Sequence, residues 1–183
     1  MAASIQPAID TLSIEEYLRT YYKPDCDFVD GRLEERNVGE TKHGVMQMHL
    51  GFWFISHQKE WRLEAIAESR TRVSDSCVRI PDVSVVPLDD DSIQEAVRIT
   101  PPLIAIEILS REDRMSRVVR RLDDFVRMGI RNVWLLDPHE LAAYTYSQSG
   151  LKLVESDRIE VPSSPAYLDL AQIFDAVKRS GNK

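Results

Sequence analysis

Two carboxylates fall where the surrounding residues predict buried strands. Asp82 lies in Ile80-Pro81-Asp82-Val83-Ser84-Val85-Val86, and Glu107 lies in Leu103-Ile104-Ala105-Ile106-Glu107-Ile108-Leu109. Side chains alternate between faces along a strand, so Asp82 shares a face with Ser84 and Glu107 shares one with Ala105. These small neighbours leave room beside each carboxylate. Burying an unpaired carboxylate costs several kcal/mol, so such a group is paired, protonated or metal-bound. Two readings compete. Each carboxylate forms a salt bridge with one of the many arginines, or the two share a divalent cation. Magnesium takes one or two carboxylates and completes its shell with water and phosphate oxygens. Bound in this way, it activates water and stabilises the charge that develops as a phosphodiester is hydrolysed.

Basic residues crowd the segment that follows Glu107. Arg111, Arg114, Arg117, Arg120 and Arg121 surround a helix predicted over Arg114–Met128. At about 100° per residue, Arg114, Arg117 and Arg121 share one side. Met115, Val118, Leu122 and Phe125 form the adjacent apolar stripe, which puts Arg121 at the edge of the buried face, within reach of a site. The same arginines equally suit a solvated face with ion pairs to Glu112, Asp113, Asp123 and Asp124. No lysine occurs between Lys59 and Lys152. His43 and His49 lie six residues apart on a second predicted helix and diverge around it, so they are not a metal pair. His43 either lines a cleft or caps and packs. Ser110 ends the Glu107 strand and either borders the cleft or caps the next helix. His57 and His139 have no convincing partner pattern.

The elements that would position these groups can be read in outline. Ser13-Ile14-Glu15-Glu16 predicts a capping box opening a helix that runs to about Tyr22. Asp30-Gly31 between extended flanks predicts a hairpin over Asp27–Leu33. Val45, Met48, Leu50, Phe52, Trp53 and Ile55 suggest a helix from Glu40 to Lys59, weakened by Gly44 and Gly51. Strands are expected around Arg62–Val73 and Val78–Val86. The acidic, proline-punctuated stretch Leu88–Thr100 reads as a loop with one helical turn. Leu103–Leu109 and Asn132–Leu136 read as central strands buried on both faces, and Gly129 suits a left-handed helix cap. A hairpin over Ala142–Tyr146 and Leu151–Val154 and an amphipathic helix over Leu168–Val177 complete the chain. Interspersed strands and helices give an α/β or α+β class with a mixed central sheet. Trp53, Trp61, Trp134, Phe52 and Phe54 are expected in core or interface.

Composition narrows the class. The chain has 183 residues, 43% hydrophobic and 29% charged, which suits one globular domain over 1–183. No apolar run is long enough to span a membrane. Met1 to Asp10 carries no signal-peptide pattern. Cys26 and Cys77 form no metal-ligand spacing and are expected as reduced thiols in a cytoplasmic protein. A net charge of −7 argues against a purely electrostatic nucleic-acid binder but leaves room for a locally basic cleft. No P-loop, dinucleotide fingerprint or Gly-x-Ser-x-Gly elbow is present.

Pro81-Asp82 followed by Glu107 in the Glu-Ile-Leu-Ser block resembles the core of the PD-(D/E)XK nuclease superfamily. More closely, the chain resembles a large bacterial restriction-endonuclease-like family within it, over roughly Leu12 to Pro138. The Asp-Phe-Val-Asp-Gly hairpin, Lys42-His43-Gly44, Pro81-Asp82-Val83, Pro102 through Ser110, and Gly129 through Pro138 carry the likeness in that order. The C-terminal hairpin and helix, 140–178, lie beyond it. The resemblance implies a restriction-endonuclease-like fold with a mixed sheet flanked by helices. It implies Asp82 and Glu107 as ligands of Mg2+ or Mn2+, with Asp27 as a third acidic residue where glutamate is usual. It also implies a homo-oligomer, commonly a dimer. The superfamily's lysine position, two residues after the second carboxylate, is Leu109 here. In this family a helix lysine four residues before an aromatic takes over, and that position is Arg121, before Phe125. Arginine keeps the charge, can stabilise a pentacovalent phosphate and cannot act as a general base.

These observations support a metal-dependent endonuclease acting on nucleic acid, DNA first. Asp82, Glu107 and Arg121 carry the chemistry, Asp27 assists, His43 and Ser110 border the cleft, and Arg114 and Arg117 contact phosphates. The competing expectation is a catalytically impaired nuclease fold acting as a binding or assembly module. The missing lysine and the acidic net charge favour that second reading.

Overall fold

The computed structural model describes residues 11–37 and 40–180; the N-terminal segment in which no signal peptide is read lies outside them. Five α-helices and twelve strands are described. In chain order they are α1 Ile14–Arg19, β1 Asp27–Val29, β2 Arg32–Glu34, α2 Thr41–Ser56, α3 Gln58–Trp61, β3 Leu63–Ala67, β4 Thr71–Ser74, β5 Cys77–Arg79, β6 Val83–Pro87, β7 Ile104–Ile108, α4 Met115–Met128, β8 Asn132–Asp137, β9 Ala142–Ser147, β10 Gly150–Leu153, β11 Arg158–Glu160, β12 Tyr167–Asp169 and α5 Leu170–Ser180. A 3-10 turn over Asp91–Gln94 interrupts the acidic loop, as expected.

A six-stranded sheet, order β10-β9-β8-β7-β6-β3, forms the centre. Only β7 and β8 in it run parallel, joined through α4, so the sheet is mixed. Both faces are covered. Ile104, Ile106 and Ile108 of β7 and Trp134 and Leu136 of β8 pack with Met46, Leu50, Trp53 and Phe54 of α2 and Ile173 and Val177 of α5. Ala105, Val133 and Leu135 turn the other way, onto Val118, Leu122 and Phe125 of α4. Double-sided burial is why β7 and β8 read as continuous apolar runs. A second sheet, order β2-β1-β5-β4, stands beside the first, and β11 and β12 pair separately.

Several expectations need correcting. Arg62–Val73 and Val78–Val86 are each two strands, not one. The ribbon starts as β3 paired with β6 in the large sheet and ends as β4 paired with β5 in the small one. Its bends are Glu68–Arg70 and Ile80–Asp82. Pro81 supplies no N–H, so the ladder cannot run through it. Glu68, at φ 51, turns the other arm, and its N–H reaches the Asp82 carbonyl at 3.3 Å across the bend. Asp82 therefore sits at the seam between sheets, just before β6, rather than within a strand.

Helix α2 buries Met46, Leu50, Trp53 and Phe54, an i, i+4, i+7, i+8 set. Met48, Phe52 and Ile55 face solvent instead, at 74%, 65% and 52% exposure. Met115 is also exposed, at the start of α4. Helix α1 ends at Arg19, three residues early, though its capping box is present as expected. The β11–β12 pair was not anticipated. Asp30 and Gly31 both have positive φ, 47 and 80, the primed turn the Asp-Gly pair suggested. A Cβ on Gly31 would stand 2.8 Å from the Thr11 Cβ. Gly129 closes α4 at φ 101. Both cysteines are free and buried. Among the described residues no helix is long and apolar enough to cross a membrane.

Leu122, fully buried between α4 and the sheet, tests this packing. Leu122→Ala should lower unfolding free energy by about 2–5 kcal/mol, read from the urea midpoint at unchanged m-value.

Candidate active site

The pairing of β6 with β7 builds the site. Ser84 opposes Ala105 and Val83 opposes Ile106, so the register carried one step further sets Asp82 opposite Glu107. The two acids named from sequence are thus cross-strand neighbours on the face that α4 covers. Both are buried. The contact is also direct through the backbone: the N–H of Ile108 donates to Asp82 Oδ2 at 2.8 Å.

Three further groups converge on Asp82. Arg36 Nη2 donates to Oδ1 at 2.8 Å. His43 Nε2, from the first turn of α2, lies 3.3 Å from Oδ2. Gln47, one turn on, donates to the Asp82 carbonyl at 2.9 Å. Burial pushes the Asp82 carboxyl upward. The His43 hydrogen bond and charge, the Arg36 charge and the Ile108 N–H outweigh it and hold the group below its usual range. Burial likewise opposes charge on His43, but the bond to Asp82 raises it.

Glu107 is held differently. Arg121 Nη1 donates to its Oε2 at 2.6 Å. Its Oε1 is buried and has no hydrogen-bond partner among the described residues. Burial pushes the carboxyl up to about 8; the Asp82 charge adds to this, and Arg121 and Arg36 pull against it. Arg121 is on the α4 face turned to β7, so the helix-edge position inferred from sequence delivers it to the carboxylate. Its Nη2 also lies 3.9 Å from Asp113.

Asp27 is buried one layer away, on β1. Its Oδ1 accepts the Ile80 N–H and its Oδ2 accepts from Arg79 Nη1, both at 3.0 Å. Burial raises it, opposed by the charges of Arg121, Arg79 and Arg36. Arg79, nearly inaccessible, also donates to Glu34 at 2.8 Å and to Asp124 at 2.9 Å. Both Asp27 oxygens are therefore committed to the frame.

The structure shows the salt bridges: Arg36 pairs with Asp82 and Arg121 with Glu107. Asp27 likewise has an arginine, Arg79. Among the described residues no cluster of three or more metal-binding side chains forms. What is present is a pair of hard oxygen donors, Asp82 and Glu107, with one buried oxygen unclaimed. That donor set fits a Mg2+ or Mn2+ ion that takes few protein ligands.

The remaining candidates divide. Ser110 lies past β7, where its N–H is capped by Asp113 Oδ2 at 2.9 Å. It borders an open depression shared with Arg111, Asp113, Asp137 and His139. It does not cap α4, whose N-cap is Arg114 without a side-chain bond. Arg114 is exposed. Arg117, also exposed, donates to the Glu35 carbonyl at 3.3 Å. Neither touches the acids. No lysine pairs with Asp27, Asp82 or Glu107 among the described residues, and Leu109 continues the β7 ladder onto Leu136. Sequence reasoning missed Arg36, Arg79 and Gln47, whereas Asp113 was named among the acids that could pair with the α4 arginines.

The sequence profile of the Uma2 family, described as "Putative restriction endonuclease", matches residues 14–175. The chain belongs to this family. The match reaches past Pro138 and takes in the C-terminal hairpin and most of α5, so family membership extends further than the sequence landmarks suggested. A solved structure from Anabaena variabilis ATCC 29413, described as "a putative nuclease belonging to DUF820", shares the fold. The TM-score is 0.79 at 22% identity, over 91% of this chain and 99% of that one. The restriction-endonuclease-like class expected from sequence therefore stands. No curated protein matches the chain.

The Arg79 frame gives a stability test. Arg79→Met should destabilise the fold by about 3–5 kcal/mol, because it strands the buried Asp27 charge. The double variant Arg79→Met/Asp27→Asn should recover part of that loss in urea unfolding.

Proposed function

We propose that the protein is a nuclease that hydrolyses phosphodiester bonds of nucleic acid, with DNA as the first substrate to test. Mg2+ or Mn2+ would be held by Asp82 and Glu107, and would supply Lewis acidity and water activation. The observation that carries this reading is the cross-strand pair of buried carboxylates with Glu107 Oε1 unclaimed. Membership of a family described as "Putative restriction endonuclease" supports it.

The chain's own residues have separable tasks. Arg121 bonds Glu107 and carries a fixed charge that can face the phosphate as negative charge builds on it. It cannot take a proton from water. Asp27 acts by charge, since its oxygens hold Arg79 and Ile80. His43 orients Asp82. The exposed Arg114 and Arg117 are available to backbone phosphates at the rim.

A second reading has its own observation. Each acid already has an arginine counter-ion, so the fold is internally neutralised and could serve as a binding or assembly module without chemistry.

Nicking of supercoiled and single-stranded DNA in Mg2+ or Mn2+ separates the two. Cleavage that falls by more than about 100-fold in Asp82→Asn and in Glu107→Gln fits the nuclease. Cleavage unchanged in both variants would overturn the site. Metal-independent DNA binding without cleavage, lost on charge reversal of Arg114 and Arg117, fits the module.

A further inference from the structure

Three arginines serve the acidic centre, Arg36 and Arg79 buried and Arg121 partly so, and they are not equivalent. Arg79 is fixed on β5 by Asp27, Glu34 and Asp124. Arg121 rises from α4 to Glu107, with Asp113 nearby. Arg36 lies on the segment between β2 and α2, outside any helix or strand. Its side chain is only 6% exposed, yet it makes one close carboxylate contact, at 2.8 Å to Asp82 Oδ1. Its Nε is buried with no hydrogen-bond partner among the described residues. A second carboxylate waits on the solvent side: Arg36 Nη1 is 3.9 Å from Glu68, whose side chain is half exposed.

Asp82 Oδ2 is already taken by the Ile108 N–H and His43. Oδ1 is the oxygen a cation would contest, and Arg36 occupies it. We propose that Arg36 is an exchangeable counter-ion, which neutralises Asp82 before a divalent cation binds and swings toward Glu68 when the cation takes Oδ1. This rests on reading Asp82 and Glu107 as the cation-binding pair. Under it, cation affinity in the free protein is set by competition with a guanidinium 2.8 Å away. Charge, not shape, governs the exchange, since close buried charge pairs couple strongly.

Calorimetric titration of Mn2+ into wild type, Arg36→Gln, Arg36→Lys and Glu107→Gln tests the proposal, with thermal unfolding of each in and out of Mn2+. Arg36→Gln should bind Mn2+ at least about tenfold more tightly than wild type. Its melting temperature should fall without Mn2+ and rise further on adding it than that of wild type. Arg36→Lys, which keeps the charge, should stay close to wild type. Should Arg36→Gln not fold alone, folding rescued by Mn2+ carries the same meaning, and no rescue counts against the proposal. Unchanged or weaker Mn2+ binding in Arg36→Gln, with binding abolished in Glu107→Gln, overturns the exchange and leaves the carboxylate pair standing. Tighter binding in Arg36→Lys equal to that in Arg36→Gln also overturns it. Absence of Mn2+ binding in wild type and Arg36→Gln alike, with and without a DNA oligonucleotide, removes the carboxylate-pair reading and this inference with it.

Discussion

Two carboxyl groups buried side by side, Asp82 and Glu107, govern the rest of the centre. Like charges directly opposite in a sheet repel, and burial strengthens the repulsion by lowering the dielectric. The chain answers with arginines from separate elements: Arg36 from the segment before α2, Arg121 from α4 and, behind Asp27, Arg79 from β5. None of these pairs forms without the tertiary fold, so the small sheet, the β1–β2 hairpin and α4 are bound to the large sheet through charge as well as apolar contact. The register is equally constrained. A one-residue slip of β6 against β7 would turn Val83 and Val85 away from the face they share with Ile104 and Ile106, which packs with α2 and α5. The apolar core thereby fixes where the acids stand.

The bend in the β3–β4 and β5–β6 ribbon explains why Asp82 can belong to both sheets. Within a continuous strand it would have one neighbour on each side and one face. At the seam it takes the Ile108 N–H from the large sheet, His43 and Gln47 from α2 and Arg36 from beyond the small sheet. Proline before it ends the ladder and frees backbone and side chain for these partners. The apolar residues on both sides made the stretch look like one strand with an odd residue in it, when the odd residue marks the change of sheet.

What was legible in the sequence was local or periodic. An acid inside an apolar run is conspicuous because burial penalises it, which is how Asp82, Glu107 and their shared neighbourhood were found. The Asp30-Gly31 turn and the Gly129 cap were legible because few residues tolerate positive φ. Arg121 was placed by helical angle against the stripe of Val118, Leu122 and Phe125. Arg36 and Arg79 were not legible. Their partners lie 46 and 52 positions away in sequence, and a lone arginine in a coil or short strand has no period to betray it. The α2 face was misread for a different reason. Met48, Phe52 and Ile55 make the helix apolar on its outer side too, so composition could not say which side the core takes.

The acidic net charge of −7 and the local chemistry answer different questions. Arg36, Arg79 and Arg121 are each spent against a carboxylate, so they cast little field beyond the centre. Any attraction for a phosphate backbone must come from outward-facing groups such as Arg111 and Arg114 before α4 and Arg117 and Arg120 on it, all exposed, and it is screened within roughly 8–10 Å at ordinary salt. Inside, Arg121 brings charge without basicity. A guanidinium neutralises and positions at any ordinary pH but never accepts a proton. On the proposed nuclease reading, the proton acceptor would have to come from the other groups, and electrophilic assistance from Arg121 together with a cation on Asp82 and Glu107. An acid pair balanced by arginines can be buried as the chain folds, and on the proposed exchange it would take up a cation only once that balance is released.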